Sequence, residues 1–176
     1  MSLYTILQNR HIEDPRAYLN LTEDAINDYK LFGLDNLKNA ATMILRTIRA
    51  NESAVMLVDC DCDGFSSASL LANYLYKYFP AWVEDKLDFY IHGTKTHGLS
   101  DCYKYFIEKR YKLVIAPDSS SNDYEQCLTL NKCGAKVVIL DHHEVDDLKI
   151  APLTTIINNQ LCDYPNKNFC GAGVVW

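Results

Sequence analysis

The sequence predicts an α/β protein in which helices cover both faces of a parallel sheet of about five strands. Short apolar segments alternate along the chain with longer amphipathic segments, in the repeated order strand, helix, strand. The length of 176 residues fits one domain. Right-handed crossovers would join the strands, and in such sheets ligands bind at the carboxyl ends of the strands.

The predicted strands are short, rich in Val, Ile or Leu, and bounded by polar residues. They are Ala54–Asp59, Leu87–His92, Lys112–Pro117, Lys136–Leu140 and Thr154–Asn158. All five end near polar or acidic side chains. The carboxyl edge of the sheet is therefore where we expect a functional site.

The predicted helices lie before and between these strands. They are Leu37–Ala50, Gly64–Phe79, Asp101–Arg110 and Asp123–Cys133. The first carries one apolar stripe, and Pro80 is expected to end the second. Ser100 and Asn122 are predicted N-caps of the last two, and Gly134 follows the fourth at its C-terminal end.

Composition and charge exclude several classes of protein. No apolar run approaches the roughly 18 residues that span a bilayer, and the N-terminus lacks a signal peptide, so no membrane association is expected. Seven scattered cysteines favour reduced thiols and a cytoplasmic protein. The formal net charge of -6 argues against a general basic surface that binds nucleic acid. A polyanion partner would therefore need a local source of positive charge, such as bound cations.

The first candidate motif is the segment Asp59–Gly64, which follows an apolar strand and leads into a helix. If its backbone stays extended, Asp59, Asp61 and Asp63 share one face while Cys60 and Cys62 turn into the apolar layer. Converging carboxylates repel unless a cation lies among them. Hard oxygen ligands of this kind suit Mg²⁺, Mn²⁺ or Ca²⁺.

The same acidic segment has three other interpretations. It could be a solvated acidic turn, or the first Asp-x-Asp of a haloacid-dehalogenase-like phosphatase. It also matches the opening of an EF-hand loop, but Leu70 stands at position twelve where a bidentate Glu is needed, and a strand precedes the segment.

Two further strand ends carry polar groups. Asp118 follows the third predicted strand, and Asp141-His142-His143 follows the fourth. A carboxylate beside two imidazoles supplies a metal ligand, a group for phosphate contact or proton transfer, and an acceptor that orients a ring. Three strand ends thus deliver acidic or imidazole groups to one edge, which matches a two-metal site.

In this order the motifs resemble the DHH phosphoesterase superfamily, which is named for the triplet seen here at residues 141–143. Within it the chain is most similar to RecJ-like single-strand-specific exonucleases. Supporting matches are Asn9–Pro15 to their opening segment, His97–Ser100 to their Gly-Tyr-Gly-Leu region, and Gly171–Val174 to a Gly-rich stretch after the triplet.

The resemblance implies roles for the motif residues. It implies metal ligands at Asp59, Asp61, Asp118 and His142. It implies that Asp63 is a further ligand or supports the ligands, that His143 meets the scissile phosphate and that Asp141 orients the histidines. The implied cofactors are two ions of Mn²⁺ or Mg²⁺, and the implied reaction is in-line attack of a metal-activated hydroxide on single-stranded DNA, which releases 5′-nucleotides from the 5′ end.

The chain departs from the family pattern in three ways. Cys60 stands where an aromatic residue or histidine is common, and Ser120 stands where Gly often follows the second-motif Asp. The chain also stops before the fourth-motif Asp and the second domain of the family, so residues 1–176 are expected to form a truncated catalytic domain with impaired or absent activity. Lys95, Thr96 and His97 are secondary candidates for phosphate contact.

Two other functions remain open from the sequence. One is a DHH phosphoesterase that acts on short oligonucleotides, cyclic dinucleotides or pyrophosphate. The other is a non-catalytic DNA-binding scaffold that kept the fold and lost turnover.

Overall fold

The computed structural model describes residues 2–20, 28–93 and 97–176. Its helices are Leu3–Asn9 (α1), Pro15–Leu19 (α2), Leu34–Arg49 (α3), Cys62–Tyr78 (α4), Pro80–Lys86 (α5), Tyr103–Lys109 (α6), Tyr124–Lys132 (α7) and Gly171–Val175 (α8). Its strands are Ala54–Val58 (β1), Leu87–Ile91 (β2), Leu113–Pro117 (β3), Lys136–Asp141 (β4) and Thr154–Asn158 (β5). Short 3₁₀ turns cover Tyr29–Phe32 and Asn159–Leu161.

The strands form one parallel sheet of five strands, as the sequence predicts, and their order is β2-β1-β3-β4-β5. All residues of β1, β3 and β5 are buried. The residues of β1 and β3 form continuous apolar runs because both faces of a parallel sheet are covered. β2 is an edge strand, and Phe89 and Ile91 on it are exposed.

Helices cover both faces of the sheet, and each face has its own apolar core. On one face α6 and α7 place Phe106 and Leu130 against Val114 and Val137. On the other face α3 and α4 place Ala40 and Leu75 in a second buried cluster. This second cluster also includes Met56, Ile115, Val138 and Ile157 from the sheet.

The predicted helices are confirmed, but both predicted N-caps are wrong. Cys102 and Asp123 occupy those cap positions. Asn122 does not cap α7 because its side chain instead joins the loop after β4, with bonds to Glu144 O (2.9 Å) and Asp146 N (3.1 Å).

Several helix boundaries also differ from expectation; α3, for example, begins at Leu34, three residues earlier than predicted. The helix after β1 begins at Cys62, two residues earlier than predicted. Pro80 does follow the end of that helix, but it also starts α5, a helix that the sequence pattern did not predict. Pro is well suited to the first turn of a helix because its missing N–H would have no partner there.

Within the described part of the chain, no helix has the length and apolar character needed to cross a bilayer.

Candidate metal centre

Three neighbouring strands deliver their terminal side chains to one edge of the sheet. Asp59 directly follows β1, Asp118 directly follows β3, and Asp141 ends β4. All three side chains are almost fully buried. Because β1, β3 and β4 are adjacent in the sheet, the predicted convergence of the three strand ends is confirmed.

The centre of the site is formed by Asp118, His142 and Asp63. His142 Nε2 lies 3.2 Å from Asp118 Oδ1 and 3.5 Å from Asp63 Oδ2. Burial, followed by the negative charge of Asp63, raises the pKa of Asp118 to about 8. An aspartate that holds its proton at neutral pH indicates a place where a cation would be favourable.

Asp141 is the anchor of the DHH triplet. Its Oδ1 accepts hydrogen bonds from the backbone N–H of His142 (2.8 Å) and from the ring Nδ1 of His143 (2.7 Å), and its Oδ2 accepts one from Ser121 N (3.0 Å). Burial acts to raise the pKa of Asp141, but the bonds from His143 and Ser121 outweigh it and lower the pKa to about 2.

The same hydrogen bond also changes the pKa of His143. The hydrogen bond to Asp141 raises the pKa of His143 to about 9, against the opposing effect of burial. Asp141 therefore orients the ring of His143 and the backbone of His142, and it leaves Nε2 of His143 as the nitrogen available to a ligand.

Asp63 is held by the last helix of the chain. Its two carboxylate oxygens accept hydrogen bonds from Gly171 N (2.7 Å) and Ala172 N (2.8 Å). The Gly-rich segment was only a supporting match in the sequence, and the structure gives its backbone a direct contact with the site. A run of five residues is too short for helix periodicity to have predicted this contact.

The first motif does not keep the extended alternation that the sequence predicted. Because α4 begins at Cys62, the chain turns, and Cys62 is exposed instead of facing the apolar layer. Asp61 becomes the N-cap, and its Oδ1 accepts a hydrogen bond from Gly64 N (2.8 Å). Gly64 lies against Asp59, where a Cβ would fall 2.6 Å from the Asp59 carbonyl oxygen.

Asp59 faces two histidines. Its Oδ2 lies 2.8 Å from His97 Nδ1, and its Oδ1 lies 3.6 Å from His92 Nε2. His92 was predicted only as the end of a strand, and His97 only as a weak candidate for phosphate contact. The other two residues of that candidate group, Lys95 and Thr96, lie outside the described residues.

The serine segment after Asp118 adopts an unusual backbone. Asp118 has φ 64° and Ser120 has φ 82°, in the left-handed region that favours glycine. Ser120 therefore takes up the conformation for which the missing glycine would be suited. The hydroxyls of Ser119 and Ser120 are buried and make no hydrogen bond to any described residue.

The donor set fits a hard divalent cation. One ligand atom each from Asp118, His142 and His143 lies within 4.8 Å of the others. Asp59 Oδ1 and Asp118 Oδ1 are buried oxygens that accept no hydrogen bond from the described residues. Carboxylate oxygens together with imidazole nitrogen suit Mn²⁺ and related ions, and a cation would relieve both the raised pKa and the unsatisfied oxygens.

The chain is similar in sequence to a known protein family and to named proteins. Residues 53–176 match the model of the DHH family, N-terminal domain. The chain is 33% identical over 175 residues to YorK of Bacillus subtilis strain 168, which is named as an SPbeta prophage-derived single-strand DNA-specific exonuclease. It is 27% identical over 169 residues to the single-stranded-DNA-specific exonuclease RecJ of the same organism.

The matched regions cover 99% of this chain and 29% of YorK, and 93% of this chain and 20% of RecJ. The chain therefore spans less than a third of these relatives. Among solved structures, RecJ of Thermus thermophilus in complex with Mn²⁺ has a TM-score of 0.64 and 20% identity, over 84% of this chain and 20% of that one. At this identity the match shows a common fold.

Proposed function

Because this chain belongs to the DHH family, we propose that it is the catalytic domain of a metal-dependent phosphodiesterase, a RecJ-like exonuclease that degrades single-stranded DNA from its 5′ end to 5′-mononucleotides. One observation carries the proposal: three adjacent strand ends bring buried Asp59, Asp118 and Asp141 to one edge of the sheet. The names of the relatives YorK and RecJ support the substrate class, and the 5′ polarity is the one that the resemblance to the family implies. A role in cytoplasmic DNA repair and recombination is part of this proposal.

The proposed metal ligands are the side chains that the resemblance to the family implies. They are Asp59, Asp61, Asp118 and His142, with Asp63 as a further ligand or a support for them. Two divalent cations, Mn²⁺ or Mg²⁺, would supply activation of the attacking water and neutralisation of charge on the phosphate. They would also supply the local positive charge that a chain of net charge -6 needs for a polyanion.

The residues of the chain itself position the substrate. His143 carries its ring on buried Asp141 and presents Nε2 to the scissile phosphate. The hydrogen bond to Asp141 raises the pKa of His143 and so favours the protonated ring, which donates a hydrogen bond to a phosphate oxygen. The Ser121 N–H and the triplet backbone fix Asp141 in turn, so the ring cannot turn away without loss of its hydrogen bond to this anchored carboxylate.

The decisive experiment compares substrates in the presence of Mn²⁺. A single-stranded DNA labelled at either end is incubated with this chain and with the Asp118→Ala variant, with Asp85→Ala on exposed α5 as the matched control. We expect any release of mononucleotides by the chain to proceed stepwise from the 5′ end, to be matched by the control, and to be absent in Asp118→Ala.

Calorimetry with Mn²⁺ accompanies the assay, because it measures the metal site independently of turnover. Asp118→Ala is expected to abolish Mn²⁺ binding, whereas Asp85→Ala should leave it intact. Consumption of dinucleotides with long strands spared would overturn the exonuclease proposal in favour of a small-substrate phosphoesterase. Unchanged Mn²⁺ binding in Asp118→Ala would favour the non-catalytic scaffold.

A further inference from the structure

The site contains two Asp–His pairs of the same construction. His143 Nδ1 lies 2.7 Å from Asp141 Oδ1, and His97 Nδ1 lies 2.8 Å from Asp59 Oδ2. In each pair the carboxylate is 1% exposed and stands at the end of a strand, while the histidine side chain is 52% or 59% exposed. Both carboxylates belong to motifs that the sequence assigned to the site, whereas His97 was only a secondary candidate for phosphate contact.

Both histidines line one polar cavity of about 260 Å³. Its wall is completed by the serine segment 119–121 and by Asp123. The carboxylates of this wall already accept backbone hydrogen bonds, Asp123 from Leu99 N (2.8 Å) and Asp141 from Ser121 N (3.0 Å). The groups left for a ligand are therefore the two Nε2 atoms and the hydroxyls of Ser119 and Ser120. These two hydroxyls have no hydrogen-bond partner among the described residues.

We propose that His97 is a second substrate-contacting histidine, which presents Nε2 across this cavity from His143 and binds the sugar–phosphate backbone of the nucleotide next to the scissile bond. The proposal rests on the proposed function, because it takes a nucleotide to be the ligand. Nothing in the family motif assigns this role to residue 97.

A purely structural role does not account for the position of His97. A histidine that served only to satisfy buried Asp59 would gain from being buried with it, yet more than half of the His97 side chain is exposed. The contact with Asp59 engages Nδ1 and leaves Nε2 outside that bond on a ring that lines the cavity, the arrangement that orients a functional imidazole. His97 also directly precedes Gly98, whose φ of 74° turns the chain at the cavity wall.

The test distinguishes the roles of the two ring nitrogens of His97. The amide nitrogen of Asn lies near the place of Nδ1, and the amide of Gln reaches the place of Nε2. We therefore compare His97→Ala, His97→Asn and His97→Gln, with exposed His11→Ala as the matched control. The probe is thymidine 5′-monophosphate with Mg²⁺, titrated while histidine ring signals are followed by NMR.

We expect the ring signals of His97 and His143 to shift on addition of the nucleotide, and that of His11 to stay in place. His97→Ala and His97→Asn should each weaken nucleotide binding roughly tenfold, the range for loss of a hydrogen bond to a charged group. His97→Gln should recover part of the loss, and Mn²⁺ affinity of His97→Asn should equal that of the unmodified chain.

Three results would overturn the inference. If His97→Asn binds the nucleotide like the unmodified chain, His97 acts only through Asp59. If His97→Asn loses Mn²⁺ affinity, the residue is a metal ligand. In both cases the unmodified chain still binds the nucleotide and the proposed function stands, whereas absence of any binding by the unmodified chain overturns both proposals together.

Discussion

Gly171 lies in direct contact with Asp118: a Cβ on Gly171 would fall 2.2 Å from Asp118 Oδ1. The N–H of the same glycine donates to Asp63 Oδ2 at 2.7 Å. The start of α8 is thus inserted between the carboxylate of Asp63 in α4 and that of Asp118 at the end of β3. It supplies partial positive charge to one carboxylate and leaves no room for a side chain beside the other.

Gly171→Ala tests this contact. The added methyl group must displace Asp118 or α8, so we expect a loss of about 1–3 kcal/mol in the free energy of unfolding, the usual cost of overpacking. Mn²⁺ affinity should fall at least about tenfold, as for other residues that orient ligands. Chemical denaturation and calorimetry measure the two effects.

Gly93→Ala is the matched control for this substitution, because a Cβ on Gly93 meets nothing within 4 Å. It should change neither stability nor Mn²⁺ affinity. Equal stability and equal Mn²⁺ affinity of the two variants would show that the close approach of Gly171 to Asp118 contributes to neither property.

The raised pKa of Asp118 predicts how stability depends on pH in the absence of metal. Between the ordinary value of 3.8 and about 8 the folded chain keeps a proton that the unfolded chain releases. Stability should therefore fall as pH rises through this window, and Asp118→Asn should be more stable than the unmodified chain at pH 8 by on the order of a few kcal/mol.

Denaturation in EDTA at a series of pH values measures this effect, and the advantage of Asp118→Asn should vanish below about pH 4. A smaller decline should persist in the variant, because the stabilising proton of His143 is lost as pH rises from 6.5 through about 9. A pH-independent difference between the two proteins would contradict the protonated state of Asp118.

Binding of Mn²⁺ should show the opposite dependence on pH. A ligand must lose its proton before it binds a cation, so affinity should rise between pH 6 and about 8 as Asp118 ionises, with release of a proton. Calorimetry in buffers of different ionisation enthalpy counts that proton. Affinity that stays level over this range would mean that Asp118 is not a ligand.

Ser120→Gly tests the strain of the second motif. A left-handed backbone at φ 82° is strained for serine and not for glycine. The substitution also removes a buried hydroxyl without a hydrogen-bond partner among the described residues. We expect a gain of about 1 kcal/mol in the free energy of unfolding, measured by chemical denaturation.

Ser121→Gly provides the comparison for Ser120→Gly. Ser121 lies outside the left-handed region, and its Oγ accepts a hydrogen bond from Asn158 Nδ2 at 2.9 Å. Glycine at this position should therefore destabilise the chain. A loss of stability in both variants would argue that Ser120 contributes a contact whose value exceeds its strain.

The strands were predictable because burial on both faces leaves an unbroken apolar run such as Val137–Leu140, which needs no tertiary information to be recognised. The convergence of Asp118 with the DHH triplet followed from the rule that parallel strands end at one edge. The contact of His97 with Asp59 could not be predicted in this way, because the two residues are 38 positions apart and only the tertiary fold brings them together.

Helix caps were predicted less well, for a reason visible in Asn122 and Asp123. Each side chain could cap α7, yet long-range partners take both, Glu144 O for Asn122 and Leu99 N for Asp123. Local preference is a weak guide where a side chain has a better partner elsewhere in the fold. Similarly, the extended alternation expected at Asp61 ended because this residue serves as the N-cap of α4.

The order of the strands determines how the site responds to partial unfolding of the chain. Asp59, Asp118 and Asp141 are carried by strands in the interior of the hydrogen-bonded ladder, whose spacing of about 4.8 Å sets the distance between their backbones. Fraying of α1, α2 or the edge strand β2 leaves that ladder intact. Amide protons of β3 should consequently be among the last to exchange, and cation capture should disappear only with cooperative melting of the whole sheet.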